Sequence, residues 1–359
     1  TDADDAAVTG WLRDTAGYGL VLGVCTGARL LAESRLLDGR PATSHWYRLD
    51  ELRRDHPAVG WQRGFRYLDD GNVITTGGLL SSVDGTLRVL ERTLGPGAAA
   101  VAARSVAWPH YSPGTAAPLP AGELTPTNAV THMLNLGFRS SSTTLGVLLA
   151  DGVGELQLAA AFDPYAEVKS ARTLALAVGG QGIRSRHGLT FVPRADLAAI
   201  PRVDRLLIPG GTDDADLGPG GAAASAAGTP VARLDQQVGF AFDATLQDMA
   251  ATLDVPTARW TAKILEYPAE DARLAGPAWP WAPTGRALLL GLAGLAVALG
   301  AIVLLRRLRV GRRRRSAGDR PAATGWSTPP GGVDQPVGPP VRQISDPGSR
   351  AGIAAAGAP

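Results

Sequence analysis

The run Gly19-Leu20-Val21-Leu22-Gly23-Val24-Cys25-Thr26-Gly27 decides how the chain folds. Its apolar part, short and uninterrupted, has the pattern of a buried parallel strand. A helical pattern takes over at once from Gly27 to Leu37 and stops at Asp38-Gly39. Cys25 therefore stands at a strand–turn–helix junction, the setting of a nucleophile elbow with cysteine in the nucleophile's place. The flanking glycines let the backbone turn tightly enough to lift the sulfur clear of the sheet. There the helix N-terminus favours thiolate and the Thr26 amide is placed to meet a developing oxyanion. A buried, inert cysteine is the ordinary reading of a lone thiol, but the glycine-flanked junction outweighs it. The reading predicts a central parallel strand over Leu20 to Val24 and a thiol pKa below that of a free cysteine.

Working outward, Val73-Ile74-Thr75-Thr76 is a second short strand, and Val83 to Leu94 is an amphipathic helix closed by Gly95-Pro96. Beyond a Pro-rich stretch from Trp108 to Pro126 the theme repeats: strand Leu145 to Ala150, helix Leu156 to Glu167, strand Thr173 to Val178, and Arg205-Leu206-Leu207-Ile208 running into Pro209-Gly210-Gly211. Alternating strands and helices predict an α/β fold with doubly wound parallel sheets. The Gly/Ala run from Gly218 to Gly228 reads as a flexible insertion. Leu246, Met249, Ala250 and Leu253 fall at helical spacing and read as core, whereas Lys263 and Glu266 read as a solvated i,i+3 ion pair.

From Ala287 to Leu305 run nineteen consecutive Ala, Leu, Gly, Val or Ile residues. As a helix they reach about 28 Å, nearly the ~30 Å of a hydrocarbon core. Trp279 and Trp281 precede this stretch, and seven Arg follow between Arg306 and Arg315, against Arg286 alone on the other flank. One transmembrane helix is expected, with the tail cytoplasmic and residues 1–286 extracytoplasmic. After Arg315 the chain is rich in Ser, Gly, Pro and Ala without periodicity and reads as disordered.

The 359 residues carry a formal charge of +2 that hides a split. Residues 306–359 hold ten Arg against Asp319, Asp334 and Asp346, leaving the body with 25 basic and 30 acidic side chains. An acidic body excludes direct nucleic-acid binding as its main role. The single cysteine excludes an intrachain disulfide and a multi-cysteine metal site, and five scattered His offer no ligand spacing, so no metal or cofactor is expected. His45, in Pro41-Ala42-Thr43-Ser44-His45-Trp46, starts a loop from which an imidazole can reach the elbow as base or thiolate partner.

Three motif groups now resemble a known family. Val24-Cys25-Thr26-Gly27-Ala28, Leu36-Leu37-Asp38-Gly39-Arg40 with Ala42-Thr43-Ser44-His45-Trp46, and Asp70-Gly71-Asn72-Val73-Ile74-Thr75-Thr76-Gly77-Gly78 with Val83-Asp84 resemble the C-terminal half of a ThiJ/PfpI domain. This is a branch of the class I glutamine-amidotransferase-like superfamily, and the likeness is to isonitrile hydratase and the sensor domains of AraC-type regulators. It implies a flavodoxin-like domain with Cys25 at the elbow and His45 beside it. Hydrolytic members place His directly after the nucleophile; Thr26 stands there, which argues against a peptidase. Leu145 to Leu156, His187 to Pro193 and Ile208 to Gly211 resemble the family's N-terminal half. Active members carry an acid where this chain has Gln157, so the second region reads as degenerate, Glu155 as a poor substitute and His187 as structural, inside a strand-end pattern.

The expected organisation is residues 1–107 as a C-terminal half-domain, 108–143 as a Pro-rich linker, 144–270 as the degenerate region, 271–286 as juxtamembrane, 287–305 as the membrane helix and 306–359 as the basic tail. A C-terminal half followed by an N-terminal half fits either an N-terminally incomplete tandem protein or a circular permutation, and the start at Thr1 without Met favours the former. The function expected is a membrane-anchored protein whose Cys25, steadied by the Thr26 amide and tuned by His45, binds or transforms a small electrophile in the manner of a hydratase or lyase. The alternative is a non-catalytic ligand or redox sensor, and a homodimer is consistent with either.

Overall fold

The computed structural model describes residues 2–15, 17, 19–115, 119–120, 122–139, 143–199, 203–210, 228–236, 239–268 and 273–318. The insertion expected over Gly218 to Gly228, except Gly228 itself, and most of the tail expected over 306–359 lie outside them. The chain divides into two units, Thr1–Ala296 and Val297–Pro359.

The first unit is mixed α/β with parallel sheets. After helix α1 (Asp2–Thr15) comes β1 (Val21–Gly23), then α2 (Gly27–Glu33), β2 (Pro41–Ala42), α3 (Leu49–Asp55), β3 (Gly60–Trp61), β4 (Tyr67–Asp70), β5 (Val73–Thr76), α4 (Ser81–Leu94) and α5 (Pro96–Ser105). β1 pairs parallel with β5, Val21 opposite Val73 and Gly23 opposite Thr75, while β4 and β5 form an antiparallel hairpin. Gly71, at φ +69, supplies the left-handed residue that a two-residue hairpin turn requires. In the order β1-β5-β4 the elbow strand is at the edge, not at the centre as expected. The strand is short, and α2 packs closely on its end: a Cβ at Gly23 would fall 2.5 Å from Leu31 Cδ1.

Helix α6 (Pro126–Phe138) lies inside the stretch expected to be a linker. Thr125 caps it, its Oγ1 accepting from Asn128 N at 3.2 Å, and Pro126 starts it where no backbone donor is needed. Then follow β6 (Thr144–Leu148), α7 (Glu155–Glu167), β7 (Arg172–Ala177), the short pair β8 (Ile183–Arg184) and β9 (Thr190–Phe191), β10 (Ala195–Asp196), β11 (Arg205–Ile208), β12 (Val231–Arg233), α8 (Ala241–Thr252) and α9 (Val255–Leu265). All four strand pairings in the order β10-β7-β6-β11-β12 are parallel. The chain winds outward from β6 in both directions, so the sheet is doubly wound, with its switch point between β6 and β11.

The two sheets are not joined by strand pairing among the described residues; the halves meet through helices. One buried cluster unites Leu80, Leu87 and Trp108 with Phe240, Phe242 and Leu265. Trp108, 3% exposed, donates its indole N–H to Asp84 at 3.0 Å, and Asp84 also pairs with the buried Arg66 at 3.3 Å. Leu246, Met249 and Ala250 of α8 are buried, as their spacing predicts. Helix α10 (Trp281–Gly318) contains one stretch, Trp281–Arg309, long and apolar enough to cross a membrane, with mean hydropathy 2.7 and none of its most apolar part buried in the protein.

Candidate functional site

Cys25 occupies the turn between β1 and α2 at φ +52, a conformation that L residues other than Gly, Asn and Asp rarely adopt. Such a backbone costs of order 1–3 kcal/mol and persists only where its surroundings over-determine it. Here they do: Cys25 N donates to Thr76 Oγ1 at 3.3 Å, and Ser44 Oγ donates to the Cys25 carbonyl at 2.8 Å. The junction read from the sequence is therefore an elbow in structure, with the half-buried thiol at the strand's C-terminal end.

The thiol pKa is not depressed as expected. Its pKa is raised, foremost by burial; hydrogen bonds from Thr26 pull it down, and the charges of Glu266 and Glu167 push it up again. Thr26 donates to the sulfur, but desolvation outweighs it. His45 is engaged elsewhere. Its Nε2 donates to the Ile264 carbonyl at 2.8 Å, and among the described residues no hydrogen bond joins it to Cys25.

Glu266 is the residue that sequence reasoning misplaced. It is 3% exposed, not solvated, and its partner is not Lys263, which instead donates to Asn128 Oδ1 at 3.3 Å. Glu266 Oε2 accepts from Gly78 N and from Ser81 Oγ at 2.5 Å, while Oε1 accepts from Trp46 N at 3.2 Å. It stands just past the end of α9 at φ 56 and ψ 39, where helices usually place glycine. Glu266 N bonds the Lys263 carbonyl at 3.2 Å and Tyr267 N the Ala262 carbonyl at 2.8 Å, closing the helix end. The Gly77-Gly78 pair is what lets this carboxylate in: a Cβ at Gly78 would lie 2.6 Å from His45 Cδ2 and 3.0 Å from Glu266 Cδ. The legible signal was that pair of glycines together with a helix end lacking one.

Beside this joint lies a cavity of about 420 Å³ whose wall includes Trp46, Pro120, Arg259, Lys263, Glu266 and Tyr267; Cys25 is not part of it. The Trp46 indole is fixed by donating to the Lys263 carbonyl at 3.1 Å and by an edge contact with Trp260 at 6.3 Å. A cavity of about 580 Å³ opens at the switch point of the larger sheet, among Glu155, Arg186, His187, Gly210 and Asp235. His187 lies in a turn between β8 and β9, not inside a strand end, and it has a partner: its Nδ1 is 2.6 Å from Glu155 Oε2. Ser185 Oγ, foremost, and His187 hold Glu155 down to a pKa of about 2. Among the described residues no group of His, Cys, Asp and Glu is placed to hold a metal ion.

No family model matches the chain. It is 36% identical over 91 residues to the HTH-type transcriptional regulator CdhR of Pseudomonas aeruginosa, which is 25% of this chain and 27% of that protein. The chain thus spans about a quarter of the curated relative it matches. Among solved structures, oxidized DJ-1 of Toxoplasma gondii is 16% identical with a TM-score of 0.30, covering 35% of this chain and all of that one. A ThiJ/PfpI family protein from Pseudomonas syringae is 18% identical with a TM-score of 0.30, covering 51% of this chain and 94% of that one. An AraC family transcriptional regulator from Pseudomonas putida is 16% identical with a TM-score of 0.29, covering 34% and 99%. The solved structures that this chain resembles thus include a DJ-1, a ThiJ/PfpI family protein and an AraC family transcriptional regulator.

Proposed function

We propose that the chain is a ligand-sensing regulatory module of DJ-1/ThiJ type, anchored by the helix over Ala287 to Leu305, and not an enzyme working through Cys25. One observation carries this reading: Glu266 and Trp46 belong at once to the support of the elbow and to the wall of the 420 Å³ cavity. A molecule entering that cavity meets the groups that hold Gly78 and Ser81, beside the strand that carries Thr76 and, through it, Cys25. The elbow itself lacks what covalent catalysis needs, because the thiol is raised and the imidazole is committed to a backbone carbonyl. The similarity of part of the chain to the transcriptional regulator CdhR favours the same reading. Direct DNA binding is not part of it, since the body is acidic.

In this account the body is extracytoplasmic and the Arg-rich tail cytoplasmic, from the seven-to-one Arg asymmetry around the apolar helix. The test replaces Cys25 with Ser in the full chain. A sensor keeps ligand-dependent thermal stabilisation in Cys25→Ser; loss of both binding and a measurable turnover in that variant refutes the proposal. A cysteine introduced at Ser316 reports the topology, and its labelling from outside by an impermeant reagent places the body in the cytosol instead.

A further inference from the structure

The chemistry of the 420 Å³ cavity selects what enters it, if the cavity is the sensor's ligand site as proposed above. Most of its polar groups are already spent. The Trp46 N–H is used on Lys263 O, the Tyr267 hydroxyl donates to Asp243 Oδ1 at 2.5 Å, and the Glu266 carboxylate accepts from three donors. Trp46 and Tyr267 therefore offer a ligand their ring surfaces, with Pro120 and Pro268 adding apolar wall. The remaining polar capacity is cationic. Arg259 and Lys263 lie one turn apart on the same face of α9, and Arg259 has no ion-pair partner among the described residues. Lys263 is half-buried, donates to a neutral amide, and keeps its ammonium 5.7 Å from the Trp46 ring centre, so it is still able to donate to an anion. It is also one of two lysines in a chain with 35 basic residues, placed where a compact charge on a flexible stem fits.

We propose that this cavity takes a small organic anion with a flat apolar body, an aromatic or conjugated carboxylate. Its charge sits at Lys263 and Arg259 and its ring lies against Trp46 and Tyr267. Charge-assisted hydrogen bonds to the carboxylate supply selectivity over a neutral isostere, and the aromatic wall supplies the contact area. A cation of the same shape is disfavoured, because the two positive side chains outweigh the single negative charge of Glu266.

The experiment is calorimetric titration of the detergent-solubilised full chain with 1-naphthoate, 1-naphthamide and 1-naphthylmethylammonium. The expected result is naphthoate binding at least tenfold tighter than the amide, with the ammonium weakest. Lys263→Gln and Arg259→Gln each bring naphthoate toward the amide's affinity and leave the amide unchanged. Equal or tighter binding of the amide or the ammonium overturns the proposal, as does no binding of any probe at millimolar concentration. So does an undiminished preference in the variants. Thermal melts establish that the variants fold; the exposed Arg259 carries the test if Lys263→Gln does not. Selective naphthoate binding that leaves the alkylation rate of Cys25 unchanged supports the ligand class and refutes the coupling to the elbow.

Discussion

Replacing Glu266 separates its two roles, because its backbone is strained and its side chain is bonded. Glu266→Ala removes the acceptor of three donors, Gly78 N, Ser81 Oγ and Trp46 N, and keeps a Cβ in the left-handed conformation at φ 56. Each donor stranded away from water costs about 1–3 kcal/mol, and since the adjoining cavity admits water the lower figure applies, giving a loss of about 3 kcal/mol. Glu266→Gly loses the same bonds but relieves the left-handed strain, worth about 1 kcal/mol. The glycine variant is therefore expected to be the more stable of the two by about 1 kcal/mol, the reverse of the order in a helix interior, where Ala exceeds Gly by about that amount. Glu266→Gln is intermediate: its amide serves Gly78 and Ser81 only by turning an NH₂ toward Trp46 N–H. Urea unfolding of the full chain, followed by tryptophan fluorescence, measures all three. A loss under about 0.5 kcal/mol for Ala, or an Ala variant at least as stable as the Gly variant, refutes the account of this joint.

Gly78→Ala drives a methyl group against both His45 and Glu266, so a loss of about 1–3 kcal/mol is expected in thermal or urea unfolding, with faster alkylation of Cys25. Asp163, on α7 with Glu167 one turn on, is pushed up to about 6, chiefly by burial. Its folded-state pKa lies above the unfolded value, so it destabilises the fold fully above pH 6 and not at all well below the unfolded pKa of about 3.9. Half exposure discounts this to about 1 kcal/mol, and Asp163→Asn should raise the Tm at pH 7 and leave it unchanged at pH ~2.5. Glu155, held at about 2, contributes stability present above its unfolded value of 4.5 and lost as pH falls toward 2. Amide exchange over residues 185–189 should speed up across that window, and Glu155→Gln should abolish the pH dependence.

The elbow was legible because its determinants are local: an apolar run, then Gly-Val-Cys-Thr-Gly, then a helical pattern. Leu206-Leu207-Ile208 was legible for the same reason, as a continuous apolar run buried between neighbours on both sides. The edge position of β1 was not, since strand order depends on which elements pair and not on the run itself. Helix α6 was obscured by composition. Thr125-Pro126 is a helix start, but it stands at the end of a Pro-rich stretch whose average reads as linker. Glu266 was hidden for a deeper reason. Its spacing from Lys263 is that of a surface pair, and only the fold brings Gly78, Ser81 and Trp46, distant in sequence, around its carboxylate. His45 illustrates the same limit: the partner it finds in the fold is the Ile264 carbonyl, distant in sequence.

The central claim is that the elbow is built but not armed, and the pH dependence of Cys25 modification by iodoacetamide in the full chain tests it most directly. With burial outweighing the Thr26 donors, the rate should rise with an apparent pKa above the free-thiol value of about 8.5, and Glu266→Gln should lower that midpoint by removing a negative charge that opposes thiolate. An apparent pKa below 7 in the unsubstituted chain would mean a thiolate nucleophile at neutral pH, and the sensing account would give way to catalysis at Cys25.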